Sequence, residues 1–182
     1  MAIKTFTTGE VLTASDTNTY LANSGLVFVK SQTIGSAVSS VNVTSAFNST
    51  YDSYLIQING GAGSGTSTLG LRLGAKTTNY RYQFVYGEWT NTPLAAGTVS
   101  GDRFEFAGST DANGSTMSAT IMNPNLAKST RVVADCTFSG NYSGVMTGLD
   151  ANTTQYTDFT IVVGGVVTLT GGTINVYGFR KG

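Results

Sequence analysis

The sequence predicts an all-β protein: an antiparallel, jelly-roll-like β-sandwich over residues 25–182, preceded over residues 1–24 by an extended arm and one short α-helix. Three observations predict it. From Gly25 onward, apolar residues recur with period two in about a dozen short runs, the pattern of half-buried strands. Gly, Asn-Gly and Pro break those runs at turn-like spacings. No helical period recurs after residue 24, so no helices are available to cover a parallel sheet, and two antiparallel sheets must cover each other. The chain has 182 residues, enough for one domain to bury roughly 70% of its unfolded surface without a metal or disulfide.

Residues 1–12 read as extended, with Ile3, Phe6, Val11 and Leu12 as apolar contacts and a bend at Gly9. Thr13 is a good N-cap. Asp16 stands where a capping box places its acidic partner and also favours the positive end of the helix dipole. A helix is expected from about Ala14 to Ala22, ending at Asn23-Ser24-Gly25. Two or three turns are too few to persist alone in water, so this helix must pack on something.

The strands follow in order. Leu26 to Ser31 is apolar on both faces, and Val41 and Val43 form a weaker second strand. Tyr54, Ile56 and Ile58 share a face, as do Leu69, Leu71 and Leu73. Between these pairs, Gly60 to Gly65 reads as a flexible loop; no Lys-Ser/Thr and no helix follow to make it a phosphate cradle. Tyr80, Tyr82, Phe84 and Tyr86 repeat the alternation with aromatic rings. Leu94 to Gly101 is expected to be a surface loop. Asp111-Ala112-Asn113-Gly114 predicts a tight hairpin, since Asn-Gly tolerates positive φ. Met117 to Ile121, Arg131 to Phe138, Gly144 to Leu149, Phe159 to Val163, Val167 to Leu169 and Ile174 to Phe179 complete the series.

The composition excludes most chemistry. There is no histidine, hence neither the commonest general base nor the commonest metal ligand. The single cysteine, Cys136, alternates in phase with Val132, Ala134 and Phe138, which predicts a buried, inert thiol. Asp102, Asp111, Asp150 and Asp158 fall at loops or strand ends in no calcium-loop spacing. As a carboxylate pair for glycoside hydrolysis the candidates with aromatic neighbours are Glu88, before Trp89, and Glu105, which is out of phase with Phe104 and Phe106, as an exposed strand position would be. No catalytic residue, cofactor or metal is expected, and the chain is read as no enzyme. Ten basic residues balance ten acidic ones, which argues against nucleic acid as a partner. No run approaches a signal peptide or a membrane span. The aromatic run offers one binding option besides core filling: Tyr86 and Trp89, with Arg81, could form a glycan platform.

The stretch Phe6-Thr7-Thr8-Gly9-Glu10-Val11-Leu12-Thr13-Ala14-Ser15-Asp16-Thr17-Asn18-Thr19-Tyr20-Leu21 resembles the opening of many structural proteins of tailed-bacteriophage virions: tail fibres, minor tail proteins and head-decorating proteins. The shared pattern is an aromatic residue, a Gly-Asp/Glu-Val-Leu-Thr-Ala run, then Asn-x-Tyr-Leu. The closing Gly172-Thr173-Ile174-Asn175-Val176-Tyr177-Gly178-Phe179-Arg180-Lys181-Gly182 is similar to the end of such proteins. The two matches cover about thirty residues; between them the likeness is one of kind, a Gly/Thr/Ser-rich sandwich. The resemblance implies a non-enzymatic virion protein, assembled in the host cytoplasm and multimeric, with a homotrimer expected. Phe6, Val11, Leu12, Asn18, Tyr20 and Leu21 would then make the virion or oligomer contact with coat, tail or fibre-adaptor proteins. A receptor-binding fibre component, which would meet a host-surface glycan, leads. A capsid decoration protein and a free carbohydrate-binding module are the alternatives.

Overall fold

A computed structural model describes residues 5–17, 25–90, 93–138 and 142–181. Among them the helix predicted from Ala14 is present as α1 (Ala14–Asp16), with the predicted start. The Thr13 hydroxyl accepts from the Asp16 amide at 3.1 Å, and the Thr13 amide donates to the Asp16 carboxylate at 3.1 Å, so the capping box closes with Asp in place of Glu. Gly9 makes the expected bend with φ +87°. The rest of the predicted helix, Asn18 to Ala22, lies outside the described residues.

Everything else with regular structure is β. The strands are β1 (Leu26–Thr33), β2 (Ser40–Val43), β3 (Ser53–Asn59), β4 (Ala62–Gly63), β5 (Ser67–Leu73), β6 (Tyr80–Glu88) and β7 (Pro93–Gly101). They continue with β8 (Phe104–Asp111), β9 (Gly114–Met122), β10 (Thr130–Thr137), β11 (Tyr142–Asp150), β12 (Phe159–Val163), β13 (Leu169–Thr170) and β14 (Thr173–Phe179). All pairings are antiparallel.

The wiring is that of a jelly roll. If β1, β2, β3, β5, β8, β9, β12 and β14 are numbered one to eight, first pairs with eighth, second with seventh, third with sixth and fourth with fifth. Such nested pairing is a long hairpin folded over on itself, and it sorts the strands into two layers. One layer runs β2-β12-β5-β8. The other runs β1-β14-β3-β9 and is extended by four inserted strands in the order β10-β11-β6-β7. The layers remain one curled sheet because β8 and β9 still pair from Gly108 to Asp111.

Each strand sends alternate residues inward, as their period requires. Ile56, Leu69, Leu71, Leu73, Ile121, Ile161, Ile174 and Val176 are fully buried between the layers. At one end Phe47 bridges them, its ring 4.9 Å from Tyr54 and 5.5 Å from Phe159. At the other, Tyr80 meets Phe104 edge-on at 4.7 Å, and Phe84 stacks on Phe106 at 4.6 Å. The aromatic run of β6 is therefore largely core.

Three expectations change. Leu94 to Gly101 is not a loop but β7, an edge strand beginning at Pro93. Its apolar alternation is weak because little of either face is covered, and Pro is tolerated at the start of an edge strand. The Asp111–Gly114 hairpin forms without left-handed residues: Ala112 and Asn113 are central, and the Asp111 carboxylate accepts from the amides of Asn113 (2.7 Å) and Gly114 (3.1 Å). The glycine segment is not loose either. Gly60 and Gly61 (both φ +73°) face Gly171 (φ +70°) and Gly172 (φ +87°), and β4 pairs with β13. A Cβ on Gly61 would lie 2.2 Å from the Gly171 carbonyl oxygen, and one on Gly172 would lie 2.5 Å from that of Gly60. Only glycine fits this crossing.

Gly61→Ala is accordingly expected to cost about 1–3 kcal/mol in urea unfolding, the range for a strained left-handed residue, with more if the crossing must open. Leu71→Asp should abolish cooperative unfolding altogether, because the charge would sit unpaired between the layers.

Candidate functional site: an arm and two unlike sheet faces

The N-terminal arm comes first in sequence. Of residues 5–17, all but Asp16 are exposed, and Val11 is 78% exposed beside an exposed Leu12. Phe6 is also exposed. Asn18, Tyr20 and Leu21, the remaining expected contact residues, lie outside the described residues. The arm is locally ordered by its own polar groups: Glu10 N–H donates to the Thr7 carbonyl at 3.0 Å, and Thr7 N–H to the Glu10 carboxylate at 3.1 Å.

The expected glycan platform is not one site. On β6 the even residues point inward and the odd ones outward. Tyr86 is half-buried, stacked on Phe84 at 4.8 Å and beside Tyr142 at 4.9 Å. Arg81 is on the opposite face, and Trp89, in the turn after β6, is 61% exposed. The strand period that makes Tyr86 core separates it from Arg81. Of the three, only Trp89 keeps an open ring.

Arg81 instead borders a groove of about 910 Å³ on the outer face of β6, β7, β10 and β11. Arg81 and Arg131 both pair in register with Leu149, one on each side of it. With Gln83, Val99 and Val133 they line a shallow trough with an apolar floor. Sequence reading missed Arg131 and Val133 as surface features. Their signal was present, as Arg131, Val133 and Asp135 alternate out of phase with Val132, Ala134 and Cys136.

The two outer faces differ sharply. On the four-stranded layer, polar groups satisfy one another. Thr160 donates to Asn42 at 3.2 Å, Thr68 bonds Glu105, Arg72 pairs with Asp102, and Arg103 Nε lies 2.5 Å from the Glu105 carboxylate. Gly70 lets the Arg103 side chain lie flat across this face, since a Cβ there would be 2.4 Å from it. On the eight-stranded layer, seven outward positions are exposed and apolar: Leu26, Phe28, Val85, Val99, Val133, Val145 and Phe179.

The remaining reactive candidates are structural. Cys136 is buried with Val132, Ala134 and Phe138, as the alternation predicts; its thiol donates to the Gly108 carbonyl at 3.2 Å. Burial, with Glu105 adding to it, pushes the thiol up to about 12, so no thiolate forms near neutrality. The loop carboxylates are each engaged: Asp102 by arginines, Asp111 in its turn, Asp158 by the Ser45 amide at 2.7 Å. Asp150 is fully buried, 2.5 Å from Lys76 Nζ and 2.6 Å from the Tyr156 hydroxyl. Among the described residues no three Cys, Asp or Glu side chains cluster as metal ligands. No protein-family model, curated protein or solved structure matches this chain.

Burial alone would raise the Asp150 pKa, but hydrogen bonds from Lys76, Tyr156 and the Asn152 amide outweigh it and hold it below the ordinary carboxylate range. Such a group stabilises fully above its unfolded value of about 3.9, and the stabilisation is lost as pH falls through the folded value. Tyr156 works in the opposite window. Burial first, then the neighbouring Asp150, pushes it up to about 12, so its stabilisation fades as pH climbs from about 10 through that value. Asp150→Ala should cost about 3–5 kcal/mol at neutral pH by leaving Lys76 unpaired. Unfolding midpoints measured from pH 6 to pH 2 should fall less steeply in this variant than in the parent.

Proposed function

We propose that this protein is a non-enzymatic structural component of a tailed-bacteriophage virion: a multimeric, fibre or receptor-binding type of body held to the particle by its N-terminal arm. The observation that carries the reading is the arm itself. Within the N-terminal stretch that resembles phage virion proteins, Phe6 to Ser15 and Thr17 stand exposed, with Val11 and Leu12 uncovered and a capping box already closed at Thr13–Asp16. An arm that is locally shaped but uncovered is suited to gain its remaining order by docking. The body supports the reading as a sandwich whose buried Asp150, Lys76 and Cys136 serve the fold. A homotrimer is the state that the resemblance implies, and a capsid decoration protein is the second reading, since the same arm would serve it.

Deleting residues 1–22 should leave a folded β-protein by circular dichroism that no longer co-sediments with particles. Normal incorporation of the truncated chain would remove the arm from its proposed role. Gold-labelled antibody seen on the head surface by electron microscopy would favour decoration over fibre.

A further inference from the structure

The outer face of the eight-stranded layer is built unlike the surface of a monomer. An antiparallel sheet with one solvated face normally alternates apolar-in with polar-out, and the four-stranded layer obeys this, its outward groups tied into hydrogen bonds and ion pairs. The eight-stranded layer departs from it at seven positions, between polar ones such as Gln57, Thr120, Thr147 and Gln83. Leu26, Phe28 and Phe179 at one end and Val133, Val145, Val85 and Val99 towards the other are exposed, with Phe28 at 58%, Val85 at 60% and Val99 at 75%. They lie on one face of the sheet, because one row of paired residues crosses seven strands: Phe28 to Tyr177, Leu55, Thr120, Val133, Thr147 and Gln83.

The geometry points to this face as the contact through which copies of the chain associate. Two observations select a second copy as the occupant. The first is size. Eight strands each about 4.8 Å wide, with three outward residues each taking about 7 Å along the strand, cover roughly 38 by 21 Å, close to the ~800 Å² per partner of a standard stable interface. The second is charge. The outward charges on the central and added strands are Arg81, Arg131 and Asp135; Arg131 and Asp135 share one strand with Val133 between them, and none of the three has an ion-pair partner among the described residues. A face that carries both signs without internal pairing is complementary to itself: Arg131 of one copy can meet Asp135 of another, while the valines and aromatics between them close the contact. A separate acidic partner would leave Asp135 unmatched, and a basic one would leave Arg81 and Arg131 unmatched. The inference rests on the multimeric part of the proposed function and names its surface; the virion assignment does not enter it.

Light scattering on the full-length purified chain tests it. At micromolar concentration the parent should have the mass of a closed multimer. Phe28→Asp and Val133→Asp, both at exposed positions, should give folded monomers, whereas Thr160→Asp on the polar layer should leave the mass unchanged. Arg131→Glu alone should weaken assembly, and Arg131→Glu with Asp135→Arg should restore it. A monomeric parent, multimers unaffected by Phe28→Asp and Val133→Asp, or a double variant no better than the single one would each overturn the proposal. So would a monomer that instead binds a carboxylated glycan in the Arg81–Arg131 groove, which would assign the face to a ligand. A multimer that fails to join particles would sink the virion reading and leave this one standing.

Discussion

Strand β8 belongs to both layers, and the rest of the architecture depends on how it does so. Its second half pairs with β9 on one edge and with β5 on the other, from Thr110 to Gly108. Then the register slips: Leu69 faces Gly108 but Leu71 already faces Phe104, so three residues of β8 stand opposite Gly70. Phe106 within that bulge takes φ +58°, a conformation that costs a bulky L-residue about 1–3 kcal/mol. The return is a change of direction. It delivers Phe104 against Tyr80 and Gly148, and Phe106 against Phe84, beneath the strands that extend the other layer. Without the bulge, β10, β11, β6 and β7 would lack their aromatic underside.

That extension creates the contrast between the two outer faces. A plain eight-stranded jelly roll would have two layers of equal width. Here one layer has twice the strands of the other, and its added half carries Val133, Val145 and Val85 outward in line with Leu26 and Phe28. Each of those part-exposed side chains forgoes a share of the roughly 1.5–3 kcal/mol that full burial gives. The opposite layer, with Arg103 laid over Gly70 and paired to Glu105 and Asp102, shows that the same chain makes a well-solvated polar face elsewhere. The apolar face is thus a local property of one layer, not a consequence of composition.

Much of this was legible in the sequence and some of it could not be. Period-two runs located most strands and their buried sides, Cys136 and Leu71 included, because burial on one face is what selects those residues. Thr13 and Asp16 announced the helix start because a capping box is local. What escaped was non-local. Edge strand β7 has too little cover to show alternation. The glycines at 60–61 and 171–172 are explained only by each other, across more than a hundred residues of chain. Tyr86 and Arg81 looked like neighbours because separation along the chain says nothing about which face a residue takes until the strand is drawn. The apolar outer face was hidden for a related reason: a strand with valines on both sides looks the same whether its second side meets a core or water.

The arm and the apolar face are complementary in energetic terms. An arm offering Phe6, Val11 and Leu12 can bury only a few side chains, each worth roughly 1.5–3 kcal/mol, and must still order its backbone at about 1–2 kcal/mol per residue. A single such contact is weak. Copies joined through their eight-stranded faces would present several arms at once, and after one arm docks the others act at high effective concentration, which can strengthen attachment by factors of 10²–10⁴ without new contacts. Under the proposed function, the sheet face therefore supplies strength and the arm supplies address. On that reading little polar chemistry would be needed on either, since apolar surfaces would do the work, placed by a capping box in one case and by paired strands in the other.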